Sequence, residues 1–302
     1  MSTRIEFYKN RSIGERFSVA IDFLKQNWKV LYKNILWGAL PLALMMGYLL
    51  ARQQTFVSPA LGFSYNLIGM FVNLLLIYLI GFINMIYMYS MTCAILLHYD
   101  RNQLTESTGW NDLKIPFFQF AGKTFLITLI VILPLIAIIA LFTGIFVSFF
   151  SAFSPSGGAV VGVMLLIGFA ILLLFGVLIA IAPSFTILYF PAFFSGKSVW
   201  KSIKTAFVLG FKNWASLFVA IILTVLVFMI VYLVFSVPFE VLSLIMRGRV
   251  GIITYILGIF SAVGSLLTYP IMVLIFAFQY FSIVEKEEGV SLQSQLSDFE
   301  NL

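Results

Sequence analysis

The sequence predicts an all-α protein, a polytopic bundle of about six transmembrane helices in three hairpin units with cytoplasmic amphipathic helices. Of the 302 residues, 62% are apolar and 10% are charged, whereas soluble domains carry about 45–50% apolar and about 25% charged residues. In lipid, the backbone N–H and C=O groups must be hydrogen-bonded within a helix or a closed barrel. The apolar runs are continuous and lack the apolar–polar alternation of a barrel strand, so they predict helices. The tracts without Asp, Glu, Lys or Arg are residues 34–51, 53–99, 124–196, 213–239 and 250–284.

Six spans follow from the length of helix that a bilayer requires. About 20 apolar residues cross a hydrocarbon core about 30 Å thick. The tract 124–196 must therefore cross twice, with its turn at Ser154-Pro155-Ser156-Gly157-Gly158. Pro41, Pro134, Pro183 and Pro270 are expected at kinks or helix ends. The predicted spans are residues 33–51, 67–97, 124–150, 159–182, 214–236 and 252–281.

The basic residues lie mostly on one side of these spans. Only Arg52, Arg247 and Arg249 of the 18 Lys and Arg residues fall on the other side. The positive-inside rule therefore places both termini in the cytoplasm. The net charge of +6 comes from residues that flank apolar spans, so we expect anionic lipid headgroups, and not nucleic acid, as the counter-charge.

An internal repeat is indicated ahead of the first and fifth spans. At a constant offset of 186, Ser12, Ala20, Asn27, Trp28 and Leu31 match Ser198, Ala206, Asn213, Trp214 and Leu217. At half that offset, Leu40-Pro41-Leu42 recurs as Leu133-Pro134-Leu135. The chain 1–302 is interpreted as one membrane domain with units 12–97, 107–195 and 198–282 and a cytoplasmic tail, 285–302. The alternative is that amphipathic helices ahead of spans simply look alike, and the middle unit lacks the Asn-Trp pair.

Each unit is expected to begin with an amphipathic helix. In the first unit, apolar residues recur at spacings of three and four, namely Ile13, Phe17, Ala20, Leu24, Trp28 and Leu31. This pattern is typical of a helix that lies along a membrane surface or docks on a partner. The residues expected at anionic headgroups are Lys25, Lys29, Lys204 and Lys212, and those expected at the interface are Trp28 and Trp214. A simple membrane anchor is one interpretation, and specific lipid or protein docking is the other.

Two stretches resemble a bacterial protein family. They are Pro191-Ala192-Phe193-Phe194-Ser195-Gly196-Lys197-Ser198-Val199-Trp200-Lys201-Ser202, continuing to Lys212-Asn213-Trp214, and the tail from Gln279 to Gly289. The chain resembles Bacteroidetes-type multi-pass proteins related to the membrane domain that precedes some glycerophosphodiester phosphodiesterases. The resemblance implies a six-span helical domain in the bacterial inner membrane, and it implies no activity because the hydrolase domain of the larger relatives is not in this sequence. Similar proteins are labelled carotene-cleaving oxygenases, but those enzymes hold iron with four histidines and the single histidine here is His98.

The sequence predicts no catalytic, cofactor-binding or metal-binding residues. His98 and Asp100 are two residues apart, and such residues point to different sides of a helix, so a solvated interfacial cluster is expected. Cys93 lies in an apolar segment and is expected to be a small buried hydrophobe. Without a second histidine, a zinc site lacks ligands.

The spans contain polar and small residues that suit helix packing. Asn73 and Asn84 are eleven residues apart and share a face, so we expect interhelical hydrogen bonds, with the lining of a ligand groove as the alternative. The pairs Gly258 with Ala262 and Ser261 with Ser265 permit close approach of helices, within the bundle or with a second copy. Charge-coupled transport is disfavoured because the span interiors hold no ionisable residue apart from Lys33 at an edge.

The sequence therefore favours a non-enzymatic, membrane-embedded interaction or assembly component. The alternative is a domain that binds or transports lipids or other apolar small molecules. An intramembrane enzyme is disfavoured because the spans lack paired nucleophiles, acids or ligands. The expected partners are membrane lipids, with anionic headgroups at the cytoplasmic face, and homo-oligomers are compatible with the small-residue pairs. No cofactor is expected.

Overall fold

A computed structural model of the chain describes residues 4–57, 67–101, 104–152, 176–245 and 252–290. Every regular element within these ranges is a helix, which confirms the all-α prediction. The helices are α1 (Ile13–Val57), α2 (Leu67–Arg101), α3 (Trp110–Ala152), α4 (residues 176–186), α5 (Phe190–Phe194), α6 (Val199–Lys212), α7 (Trp214–Phe235), α8 (Val237–Ile245) and α9 (Ile252–Glu288).

Within these described ranges, six helical segments are long and apolar enough to cross a membrane, as predicted. They are Ile13–Gln53, Ile68–Arg101, Trp110–Pro134, Gly176–Phe194, Trp214–Phe235 and Ile252–Glu288. The chain is thus a multi-pass membrane protein. The predicted turn at 154–158, residues 159–175 of the fourth predicted span, Arg247, Arg249 and tail residues 291–302 lie outside the described residues.

The amphipathic stretch of the first unit is continuous with its span. α1 runs for 45 residues without a break, and within it the side-chain amide of Asn27 donates to the carbonyl oxygen of Phe23. A straight helix of this length measures roughly 68 Å, more than twice the hydrocarbon thickness. A substantial part of α1 must therefore project beyond the bilayer or tilt strongly. Helix also continues through all four prolines that were expected at kinks or ends, so none of them terminates a helix.

The described chain forms two compact units, and the first comprises Met1–Ala121 with Val219–Leu302. Its centre is the packing of α1 and α2 against α9, in which every residue from Val273 to Val284 is buried. α1 and α9 meet backbone to backbone, since a Cβ placed on Gly47 would lie 2.5 Å from the Cα of Ile259 and one on Gly258 would lie 2.7 Å from the carbonyl oxygen of Gly47. Gly258 therefore serves close packing inside the bundle, one of the two roles predicted for it.

The second compact unit is Gly122–Phe218. α6 packs against the end of α4, where a Cβ on Gly210 would lie 2.6 Å from the Cα of Ser184. The indole N–H of Trp214 donates to the carbonyl oxygen of Ala180 over 3.1 Å. α6 and α7 are separate helices because Asn213 leaves the helical conformation, with φ −112° and ψ 29°.

Candidate functional site

The N-terminal segment, residues 4–12 ahead of α1, is held by an aromatic cluster at one end of the first unit. Phe7 is buried, and its ring stacks on Tyr99 at 5.7 Å and on Phe281 at 4.9 Å between ring centroids. Phe278 and Phe23 meet the same ring at 5.5 and 6.4 Å, edge-on. Such pairs contribute about 0.5–1.5 kcal/mol each beyond the burial of their area. The cluster therefore fastens the N-terminal segment across the ends of α1, α2 and α9.

Polar contacts extend this attachment along the segment. The backbone N–H of Ile5 donates to the hydroxyl of Tyr99 over 2.9 Å, and Arg4 donates to the carbonyl oxygen of Asp100 over 2.5 Å. Farther along, the N–H of Arg11 donates to the hydroxyl of Ser282 over 3.0 Å. The N-terminal segment and the C-terminal ends of α2 and α9 thus share one end of the unit.

Burial shifts the ionisation of two residues in this segment. Burial raises the pKa of Tyr8, and electrostatic interaction with Tyr280, Asp100 and Glu288 raises it further. Burial lowers the pKa of Arg11, although Glu6 and Glu15 oppose that shift. Tyr8 is therefore a neutral hydroxyl at every physiological pH.

An arginine lies under the same segment, at the start of α1. Arg16 is buried, and its guanidinium donates to the side-chain oxygen of Gln279 over 2.8 Å and to the carbonyl oxygen of Arg11 over 2.7 Å. Buried charges persist only where hydrogen bonds compensate for lost hydration. Arg16 thus links α1, α9 and the N-terminal segment through a single side chain.

The residues considered for chemistry from the sequence do not assemble into a reactive group. His98 and Asp100 lie in the last turn of α2, and the described side chains include no hydrogen bond between them. Cys93 is fully buried and forms no disulfide. Across the ranges that the structure describes, no three His, Cys, Asp or Glu side chains come close enough to hold a metal ion.

The two asparagines of α2 are both buried, as their shared face predicts. The amide of Asn73 donates to the carbonyl oxygen of Leu49 over 3.0 Å and to the side-chain oxygen of Gln53 over 2.7 Å, both in α1. The predicted interhelical hydrogen bond is therefore confirmed for Asn73. The side-chain oxygen of Asn84 has no hydrogen-bond partner among the described groups.

A small groove lies between α7 and α9 within the first unit. Its volume is about 120 Å³. The hydroxyls of Ser236 and Ser261 are 2.9 Å apart at its wall, and Gly264 lies so close to Phe235 that a Cβ there would be 2.5 Å from the Cβ of Phe235. Ser261, predicted as a helix-packing residue, thus contributes a hydroxyl to the groove. The lining residues are Phe228, Val231, Tyr232, Phe235, Ser236, Ser261, Gly264 and Thr268.

Sequence reasoning missed the aromatic cluster because its members share no periodicity. Phe7 lies before the first helix, and Tyr99 and Phe281 lie toward the C-terminal ends of two helices far apart in the chain. The available signal was the density of aromatic residues in Phe276–Phe281, which exceeds what a single lipid-facing stripe needs.

Comparison with protein-family models, with curated proteins and with solved structures gave no match. Any function must therefore be inferred from the chain's own geometry.

Proposed function

We propose that this chain is a non-enzymatic, membrane-embedded interaction or assembly component. The proposal is supported by the hydrogen bonds that polar side chains within the spans form with neighbouring helices. The hydroxyl of Tyr32 in α1 donates to the carbonyl oxygen of Leu267 over 2.8 Å, and that of Tyr87 in α2 donates to the carbonyl oxygen of Asn34 over 2.9 Å. Asn73 bonds to α1 in the same manner. These groups fasten helix to helix, whereas a catalytic or transport site directs its polar groups into a cavity.

The packing of the first unit also favours a fixed framework over a moving carrier. Carriers alternate by rocking one helical bundle against another around a central site. Here the backbones of α1 and α9 touch at Gly47 and Gly258, and the N-terminal segment is fixed across the ends of α1, α2 and α9 through Phe7. A rigid core of this kind supports lasting contacts with other proteins.

The test is recovery of a defined complex. The tagged full-length chain, expressed at native level in its own host, is extracted in mild detergent and passed through size exclusion. We expect a protein partner that comigrates at constant stoichiometry and that recovers this chain when it carries the tag itself. A six-span membrane protein of matched abundance is the control. Migration of the chain without protein partners, in both directions of the pull-down, contradicts the proposal.

A second candidate, binding of a lipid or another apolar molecule, is favoured by the groove between α7 and α9. Its volume of about 120 Å³ is below the roughly 300–1,000 Å³ of sites for whole small molecules. A segment of an acyl chain is therefore the occupant that fits. Ser261→Phe fills the groove and Ser261→Ala leaves it open, so native mass spectrometry should show loss of a retained lipid in the first variant only. Equal lipid retention in both variants counts against this candidate.

For localisation, we propose the bacterial inner membrane with both termini in the cytoplasm. The basic residues support this orientation, and the family resemblance supports the membrane. Lys29 pairs with Glu106 over 2.9 Å and Lys33 donates to the carbonyl oxygen of Glu106 over 3.3 Å, so two segments assigned to the same side meet. Cytoplasmic and periplasmic reporters fused to the C-terminus test the orientation. Activity of the periplasmic reporter alone would overturn it.

A further inference from the structure

The helical stretches that follow Ser12, Gly109 and Ser198 bury the same positions. These stretches are the first parts of α1 and α3, and α6 together with the start of α7. Counted from those three residues, positions 4, 8, 11 and 19 are buried in each stretch. This register relates the first and third units by 186 residues, as the sequence predicts, and the first and middle units by 97 rather than 93. The buried residues are Arg16, Ala20, Phe23 and Leu31; Leu113, Phe117, Phe120 and Thr128; and Ser202, Ala206, Leu209 and Leu217.

α1 and α6 also share a side-chain hydrogen bond. The side-chain amide of Asn27 donates to the carbonyl oxygen of Phe23 over 3.0 Å, and that of Asn213 donates to the carbonyl oxygen of Leu209 over 3.2 Å. Asn27 and Asn213 are 186 residues apart. Residues separated by this offset can therefore be compared as equivalent positions in their own units.

The outward faces of α1 and α6 differ in chemistry although their buried faces agree. On α6, Trp200, Val208 and Phe211 expose 71%, 57% and 52% of their surface. Three lysines share that exposed face and α6 contains no acidic residue. The equivalents on α1 of Trp200, Lys201, Lys204, Val208, Phe211 and Lys212 are Gly14, Glu15, Ser18, Asp22, Lys25 and Gln26. Folding of such a helix evidently does not require the apolar and basic face, so α6 carries that face for another purpose.

The apolar and basic residues of the outward face of α6 are interleaved on one side of the helix. At about 100° of rotation per residue, they lie within a sector of roughly 120°. Their order around this sector is Trp200, Phe211, Lys204, Val208, Lys201 and Lys212. Lysine side chains can lay their apolar stems along neighbouring apolar surface and extend their ammonium groups to the membrane interface, so such a face suits a bilayer surface. The lysine charges complement anionic headgroups.

α6 and α7 are joined at Asn213, which leaves the helical conformation. α1 passes through the equivalent Asn27 without interruption, whereas α6 ends at Lys212 and α7 begins at Trp214. A break of this kind allows an interfacial helix to leave the axis of the span that follows it, and among the described residues only the third unit has a break at this position. We propose that the outward face of α6 docks on an anionic bilayer surface, a role independent of the assembly function proposed above.

The experiment measures the surroundings of Val208 against those of its equivalent, Asp22. Val208→Cys and, as the matched control, Asp22→Cys are labelled with a fluorescent probe in the full-length chain; Cys93 is fully buried, so the unsubstituted chain should take no label. Each protein is placed in nanodiscs of phosphatidylcholine alone or with added phosphatidylglycerol. Quenching by a shallow spin-labelled lipid reports docking, and quenching by aqueous iodide reports exposure to water. Phe211→Cys repeats the measurement if Val208→Cys is not monodisperse.

We expect lipid quenching at position 208 to rise when phosphatidylglycerol is added, while position 22 stays open to iodide in both discs. Since each lysine near an anionic surface strengthens binding about fivefold, Lys201→Gln with Lys204→Gln should weaken the docked state about 25-fold. Equal quenching at positions 208 and 22 overturns the proposal. The proposal is also overturned if lipid quenching at position 208 is the same with and without phosphatidylglycerol and is unchanged by the two lysine substitutions. Shielding of 208 that grows with protein concentration in detergent would instead assign the face to a second copy of the chain.

Discussion

Replacement of Gly47 by alanine tests the contact on which the packing of α1 against α9 depends. The added Cβ would lie 2.5 Å from the Cα of Ile259, and ordinary contacts of a Cβ begin at 3.4 Å. Because Ile259 opposes it with backbone, the helices must separate by about 1 Å, and overpacking of this kind costs about 1–3 kcal/mol. The control is Gly122→Ala in α3, where nothing lies within 4 Å of the new methyl group. Both variants gain about 0.8–1.0 kcal/mol of helix propensity, so the difference between them isolates the contact.

The assay is thermal unfolding of the purified full-length protein in one detergent, followed by the loss of the monodisperse size-exclusion peak. For a chain of 302 residues, a difference of about 1–3 kcal/mol corresponds to a melting temperature about 2–5 °C lower for Gly47→Ala than for Gly122→Ala. Gly258→Ala should also have a lower melting temperature than Gly122→Ala, because its Cβ would lie 2.7 Å from the carbonyl oxygen of Gly47. Equal melting temperatures for Gly47→Ala and Gly122→Ala would refute direct backbone contact between α1 and α9.

Further predictions concern the remaining contacts of the first unit. Phe7→Ala empties the aromatic cluster and should destabilise the protein by about 3–5 kcal/mol, with faster cleavage ahead of α1 in limited proteolysis; unchanged cleavage would contradict the attachment. Asn73→Leu removes the bonds to Leu49 and Gln53 and should cost about 0.6–2 kcal/mol, measured as a lower melting temperature than for Ile77→Leu. The raised pKa of Tyr8 stabilises the folded state below pH about 10, and this stability is lost at higher pH because the unfolded chain releases its proton first. Tyr8→Phe should therefore flatten the alkaline fall of the melting temperature, and an unchanged fall would exclude Tyr8 as its source.

The sequence predicts well which segments are surrounded by lipid, because this depends directly on their content of charged and apolar residues. Charge-free tracts longer than 20 residues leave lipid as the only suitable surroundings, and six spans result. The continuity of α1 was not predicted because nothing in residues 12–31 distinguishes a helix that ends at the interface from one that passes through it. In the third unit, the equivalent asparagine does end its helix. The shared Asn-Trp pair therefore does not by itself decide whether the helix continues.

Contacts between segments far apart in the chain cannot be predicted from composition and spacing. Gly47 is one glycine among 21, and only the crossing with Gly258 gives it a specific role. Asn73 was predicted to bond between helices, but its partners Leu49 and Gln53 depend on the relative placement of α1 and α2. Gly258 of α9 was recognised correctly as a packing residue, whereas its partner helix was not identifiable from the sequence.

The mass of the particle released from native membranes tests the proposed assembly function most directly. Membranes are dissolved with an amphipathic polymer that retains the surrounding lipid, and the tagged particle is weighed by native mass spectrometry after the lipid is stripped stepwise. The chain alone weighs 34.0 kDa. A framework for other proteins should give a larger mass, constant between preparations, that resolves into this chain and a defined set of polypeptides. A particle of 34.0 kDa once its lipid is removed would contradict an assembly role.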